Sequence, residues 1–437
     1  MKLTIHQALE RASKALSKNE FTKAEKIYRS ILQTQPDNLD ANNNLGIILH
    51  NYKNYSEAIN YFEKTISIDS NFFLAYSNLG LSLKSLGKFE EAKKIYIQAI
   101  NIEPNYSQAH NNLGVIFELL NNPDKAKISI KKAIEIDPYN PEFHFNLGNV
   151  LIKTDDFDNA ILSYNKSIEL NPNHKQALFN RGQIYFKKGF FDLSLKDFDK
   201  CDTEKSRPLS LASMYALNKI EDIFNRIKTY SKFDKTNLRL AAFSSFICNK
   251  ERRDINYNFC KNPLDFIKIS NLSTHIENYR LFNNELIKQI KTIKSFWEPL
   301  NKTTIKGFQS KHNLFYNPKG VLENLKSLIL KEIEIFRLKY KNKNCDFIKK
   351  WPIKKKISCW YVILKQQGYQ NPHIHPDGWL SGVVYLKVLP DLEKKEGAIE
   401  FSLNGEHYSD PNSPKIVYQP KIGDIVLFPS SLYHRTI

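Results

Sequence analysis

Five glycines, Gly46, Gly80, Gly114, Gly148 and Gly182, recur every 34 positions in this chain, and they do not recur alone. Ala24, Ala58, Ala92, Ala126 and Ala160 keep the same interval, with Ser194 continuing the column. Tyr28, Phe62, Tyr96, Ile130, Tyr164 and Phe198 form a third column, and Pro36, Pro104, Pro138 and Pro172 close their units. A period of this length, held in phase over five or six units, marks a stack of supersecondary units. Each unit buries its apolar face only against its neighbours.

The period and the Leu-Gly, Ala, aromatic and Pro positions resemble the tetratricopeptide repeat. That resemblance implies two antiparallel helices per unit, brought close by Gly and Ala, with the aromatic filling the gap to the next unit. It implies an all-α superhelix with a concave groove. Six units are expected, at about 4–37, 38–71, 72–105, 106–139, 140–173 and 174–207. Residues 208–255 lose the columns but stay helix-like and are expected to cap the stack. A further column, Asn44, Asn78, Asn112, Asn146 and Asn180, sits two residues before each Gly. It resembles the asparagine ladder in the repeat domain of O-linked N-acetylglucosamine transferases, where the amides hold a peptide backbone. A primary amide offers two donors and an acceptor, so it can pair with a peptide unit whatever its side chain. The bland reading is that Asn-Leu-Gly is repeat consensus in an Asn-rich chain.

The last sixty-odd residues change character. Trp379 to Val388 is β-branched and aromatic after a Pro/Asp/Gly turn, Ala398 to Leu403 alternates apolar and polar, and Asn404-Gly405 signals a hairpin. Lys415 to Gln419 and Ile425 to Phe428 read as further strands. Short strands with closely spaced turns predict a barrel or jelly roll. Within it, His375-Pro376-Asp377 is followed by His434, 57 positions after the aspartate. Side chains at i and i+2 of a strand share a face, so His375 and Asp377 can reach one metal, with His434 arriving from a distant strand. Two histidines and a carboxylate, open on one side, are the facial triad of non-haem Fe(II) oxygenases. His373 shares that strand face and is an alternative ligand or a supporting partner.

Several segments together resemble the putative 2-oxoglutarate/Fe(II)-dependent oxygenases of bacteria and phages: Trp297-Glu298-Pro299, Thr303 to Ser310, Cys359 to Leu364, His373-Ile374-His375-Pro376, Leu380 to Val383, and Gly423 to Ser430 with His434. The resemblance spans about 256–437 and implies a double-stranded β-helix with flanking helices, making the whole chain α + β and multidomain. It implies Fe(II) on His375, Asp377 and His434, 2-oxoglutarate as co-substrate, and hydroxylation of a substrate C–H bond. Tyr361 and Tyr385 could donate to a bound carboxylate, although packing with a satisfied hydroxyl is the simpler reading. The family places a basic residue on the strand after the distal histidine. Here Arg435 alternates to the opposite face from His434, and the expectation is that the sequence is a fragment. The combined reading is a hydroxylase whose repeats recruit a polypeptide substrate or partner. The alternative is a non-catalytic adaptor with a degenerate metal-binding β-domain.

Composition narrows the partners. The formal charge is +18, but lysine is spread along the chain, and neither dense run, Lys339 to Lys343 or Lys349 to Lys356, is interleaved with aromatics in a nucleic-acid motif. Specific nucleic-acid binding is therefore not expected. Five cysteines without a CxxC pair argue against a disulfide framework and a zinc knuckle. No run approaches the length of a membrane span and the first residues lack a leader pattern, so a cytoplasmic location is expected.

Overall fold

The computed structural model describes residues 4–255, 257, 259–299, 302–388 and 396–437. Met1 to Leu3, part of the stretch expected to lack a leader, and Asn256, at the expected domain boundary, lie outside the described residues. The chain forms two compact units, Met1–Lys188 and Gly189–Ile437.

The first unit is helical throughout. Helices Ile5–Ser17 and Phe21–Thr34 are followed by the pairs Leu39–Asn51 and Tyr55–Ile68, Phe73–Ser85 and Phe89–Ile102, Ser107–Leu119 and Pro123–Ile136, and Pro141–Lys153 and Phe157–Leu170, then by Lys175–Lys187. Several starts are written in the sequence. Asn38 and Asn122 accept hydrogen bonds from the backbone N–H of Ala41 (3.0 Å) and Lys125 (3.2 Å), and Pro123 and Pro141 occupy first-turn positions whose N–H would be orphaned anyway. The glycine column permits a close approach: a Cβ at Gly80 would stand 2.7 Å from the Tyr96 ring, and one at Gly46 would stand 2.6 Å from Phe62. This corrects the expected packing. The aromatic lies over the glycine of its own unit, because sixteen residues along the hairpin bring it opposite that gap.

The second unit opens with helices Phe191–Cys201, Ser206–Ala216, Ile220–Tyr230 and Leu238–Lys250. Helix Tyr279–Lys291 follows, and Phe296 lies in the short strand after it. Nine strands are found among the described residues: β1 (Lys268–Asn271), β2 (Ser295–Trp297), β3 (Thr304–Ser310), β4 (Val362–His373), β5 (Leu380–Val384), β6 (Ile399–Ser402), β7 (Lys415–Tyr418), β8 (Asp424–Pro429) and β9 (Tyr433–Thr436). They make two antiparallel sheets, ordered β1-β8-β5 and β2-β3-β4-β9-β6-β7. The β6–β7 pair is joined through 403–414 rather than by a tight Asn-Gly turn, because Asn404 is tied across that loop to both the N–H and the carbonyl of Asp410. Every residue of β8 is buried. Phe428 on β8 meets Phe401 on β6 at 4.9 Å between ring centroids, so the two sheets pack face to face there. Helix Val321–Tyr340 brings Glu332 into a buried ionic cluster, where its carboxylate accepts hydrogen bonds from Lys268 and from Ser270 (2.5 Å) and pairs with His275 Nε2 (2.5 Å).

Candidate metal centre

Strand register carries two of the three site histidines to one place. His373 ends β4 directly opposite His434 on β9, and the two rings lie 4.3 Å apart. His375 follows one residue beyond the intervening Ile374, its N–H donating to the Ser430 carbonyl at 3.1 Å. Its ring is 5.0 Å from His373 and 5.1 Å from His434. One ligand nitrogen from each histidine lies within 4.8 Å of the others. Metal–imidazole bonds are about 2.0–2.1 Å, so small side-chain rotations would close the set around an ion.

Asp377 is not part of this cluster. A shared face at i and i+2 requires strand geometry through residue 377, and the strand stops at His373. Pro376-Asp377 then forms the corner of a turn, with the Gly378 N–H donating to the His375 carbonyl at 2.9 Å. Pro at the second position and Gly at the fourth suit a type I turn, in which side chains no longer alternate across a pleat. The set brought together is therefore His373, His375 and His434, with His373 in the place expected for the carboxylate.

The surroundings hold these imidazoles neutral. Burial lowers the His375 pKa to about 4, helped by the nearby imidazole of His373 and the charge of Lys302. Burial also depresses His373, and pushes His434 well below the ordinary histidine range with help from its two neighbours. The His373 Nδ1 donates to the Asn371 carbonyl at 2.7 Å, and the His434 Nδ1 to the Leu432 carbonyl at 3.2 Å. A carbonyl only accepts, so both protons sit on Nδ1 and both Nε2 lone pairs are free for a metal. Phe428 stands 4.5 Å from the His434 ring, and Trp360 stands 5.5 Å from His375 while remaining 41% exposed.

The tyrosines are placed elsewhere. The Tyr361 hydroxyl donates to the Ile293 carbonyl at 2.6 Å. Tyr385 pairs with Asp424, at the end of β8 opposite the metal cluster, and burial beside Tyr418 and Asp424 raises its pKa. Arg435 points away from the histidines and donates to Glu400 at 2.8 Å. In the first unit the asparagine column bonds between repeats. Asn78 donates to Asn43 (3.2 Å), Asn146 to Asn111 (3.0 Å) and Asn180 to Asn149 (2.9 Å). Asn112 accepts from Gln108 at 3.3 Å, and Asn44 is half-buried. The accepting partners Asn43, Asn111 and Asn149 lie outside the expected column. Asn43 and Asn111 stand one position before the column and carried the signal.

Comparison with known proteins agrees with this division. Residues 358–437 match the family described as putative 2OG-Fe(II) oxygenase, and 9–71, 80–121, 107–140, 130–161 and 148–189 match tetratricopeptide repeat families. Similar solved structures include a thermophilic repeat protein of Thermus thermophilus (18% identity, 41% of this chain and 98% of that one, TM-score 0.37). Another is pilF of Pseudomonas aeruginosa (18% identity, 44% and 88%, TM-score 0.41), and a third is a fragment of MamA from Desulfovibrio magneticus (20% identity, 39% and 96%, TM-score 0.36). No curated protein matches the chain. No helix among the described residues is long and apolar enough to cross a membrane.

Proposed function

We propose that this chain, an array of tetratricopeptide repeats followed by a putative 2OG-Fe(II) oxygenase domain, is a 2-oxoglutarate-dependent hydroxylase acting on a polypeptide held by its repeats. The observation that carries the reading is the convergence of three neutral imidazoles, with ligand atoms within 4.8 Å, between two face-packed antiparallel sheets. The arrangement is consistent with a double-stranded β-helix.

The donor set fits Fe(II), since imidazole suits first-row divalent metals. His373, His375 and His434 would hold it. Bound there with 2-oxoglutarate, the iron supplies the oxidation of a C–H bond by dioxygen. The protein's own part is orientation and exclusion of water. The Asn371 and Leu432 carbonyls fix two imidazole tautomers, the Ser430 carbonyl anchors the backbone of His375, and Phe428 and Phe401 dry the inner side. Trp360, at the exposed side, forms a wall against which a substrate side chain can lie. Asn78 and Asn146 each use one amide N–H between repeats, leaving a second for a peptide backbone, whereas the Asn180 amide donates to the Tyr164 hydroxyl (3.3 Å) as well as to Asn149.

The test is anaerobic titration of the full chain with Fe(II) and 2-oxoglutarate. A weak visible charge-transfer band is expected, and it should vanish in His434→Ala. No band, or one indifferent to that substitution, would favour a non-catalytic adaptor.

A further inference from the structure

We infer that the second unit carries a docking face for an acidic phospholipid surface, built on the loop after Trp351. Residues 339–356 hold eight lysines against one aspartate. Two are neutralised locally, Lys350 by Asp346 (2.6 Å) and Lys355 by Glu334 (3.1 Å). Lys354 and Lys356 have no ionic partner among the described residues and are exposed. Ile353, immediately before Lys354, is 98% exposed.

A single exposed aliphatic side chain is ordinary, but this one is held out by its surroundings. The Trp351 ring stacks 5.9 Å from Phe336 and lies 5.7 Å from Phe347, which pins the start of the loop to the buried aromatic cluster. Asn313 pins its end, donating to the Ile357 carbonyl (3.2 Å) and accepting from the Cys359 N–H (2.8 Å). The loop thus projects a fixed apolar tip flanked by cations. Two more exposed apolar groups border it. Leu338, 56% exposed, lies one helical turn after the Glu334 that Lys355 grips, and Tyr316, 86% exposed, follows the anchoring Asn313.

Lysines alone would suit any polyanion. An aliphatic tip gains nothing from a phosphate backbone or an acidic peptide in water, and gains only where a charged surface covers an apolar interior. Attraction of lysines to anionic headgroups combined with shallow insertion of apolar side chains is the recognition of such a surface. Each lysine near it contributes about fivefold in partitioning.

The experiment is flotation of the full chain with vesicles of phosphatidylcholine alone or mixed with phosphatidylserine. Binding is expected on the mixed vesicles only, weakening as salt rises. Lys354→Glu with Lys356→Glu should lower partitioning by about twentyfold or more. Ile353→Ser keeps the charge and should lower it about fivefold. Equal binding to both vesicle types, absence of binding, or a wild-type partition in Ile353→Ser would overturn the proposal. So would binding of single-stranded RNA, but not of vesicles, that the lysine variant abolishes. All three positions are exposed, so the fold tolerates the changes.

Discussion

At the scale of single residues, the choice between Asp377 and His373 turns on one corner of backbone. Asp377 is the chemically attractive ligand because a carboxylate offsets metal charge, yet the turn at Pro376 takes it off the strand face. Metal affinity should therefore fall at least about tenfold in His373→Ala and stay near wild type in Asp377→Ala, as read by equilibrium dialysis with Co(II). The reverse order would restore the carboxylate to the set. The depressed histidines also make stability depend on pH. In the unfolded chain His375 titrates near 6.5 and in the folded protein near 4. Between those values the unfolded state binds protons that the native state refuses, so stability is complete above about pH 6.5 and is lost as pH falls towards 4. Urea midpoints of the metal-free protein should drop across that window, and His375→Gln should flatten the drop. An unchanged slope in the variant would place the proton uptake elsewhere.

At the scale of elements, the repeat columns and the strands obey different rules. In the helical unit the glycine column makes room for an aromatic from the same hairpin. Gly80→Ala would drive a methyl to 2.7 Å from the Tyr96 ring, and overpacking of this kind costs about 1–3 kcal/mol. A thermal midpoint for the repeats indistinguishable from wild type would show that Tyr96 swings aside freely. The strands owe their place to register. β4 and β9 pair His373 with His434 and, with an irregularity between, Gln370 with Thr436. One residue of slip would turn His434 to the opposite face. The all-buried β8 resists that slip, since β9 follows it through the short turn in which the Leu432 N–H donates to the Pro429 carbonyl.

At the scale of the whole molecule, the repeats are expected to act on catalysis through recruitment alone. Asn112→Ala with Asn146→Ala should raise KM for a long polypeptide substrate several-fold, leave kcat unchanged, and leave a short peptide confined to the metal centre unaffected. A fall in kcat for both would assign the column to stability instead. The repeat array and its period were legible in the amino-acid sequence, because they depend on contacts within 34 residues that every unit states again. The β-branched runs and turn residues also marked β5 to β8, and the three histidines stood out as candidates, while β1 to β4 and β9 carry no comparable local signal. Tertiary structure alone decided which side chains meet. The metal set depends on where β4 ends, on a four-residue turn and on a pairing across some sixty residues, and none of these is repeated elsewhere in the chain. The same reason hid the asparagine partners and the cluster around Glu332: a buried polar group needs a partner, but composition does not say which distant element supplies it.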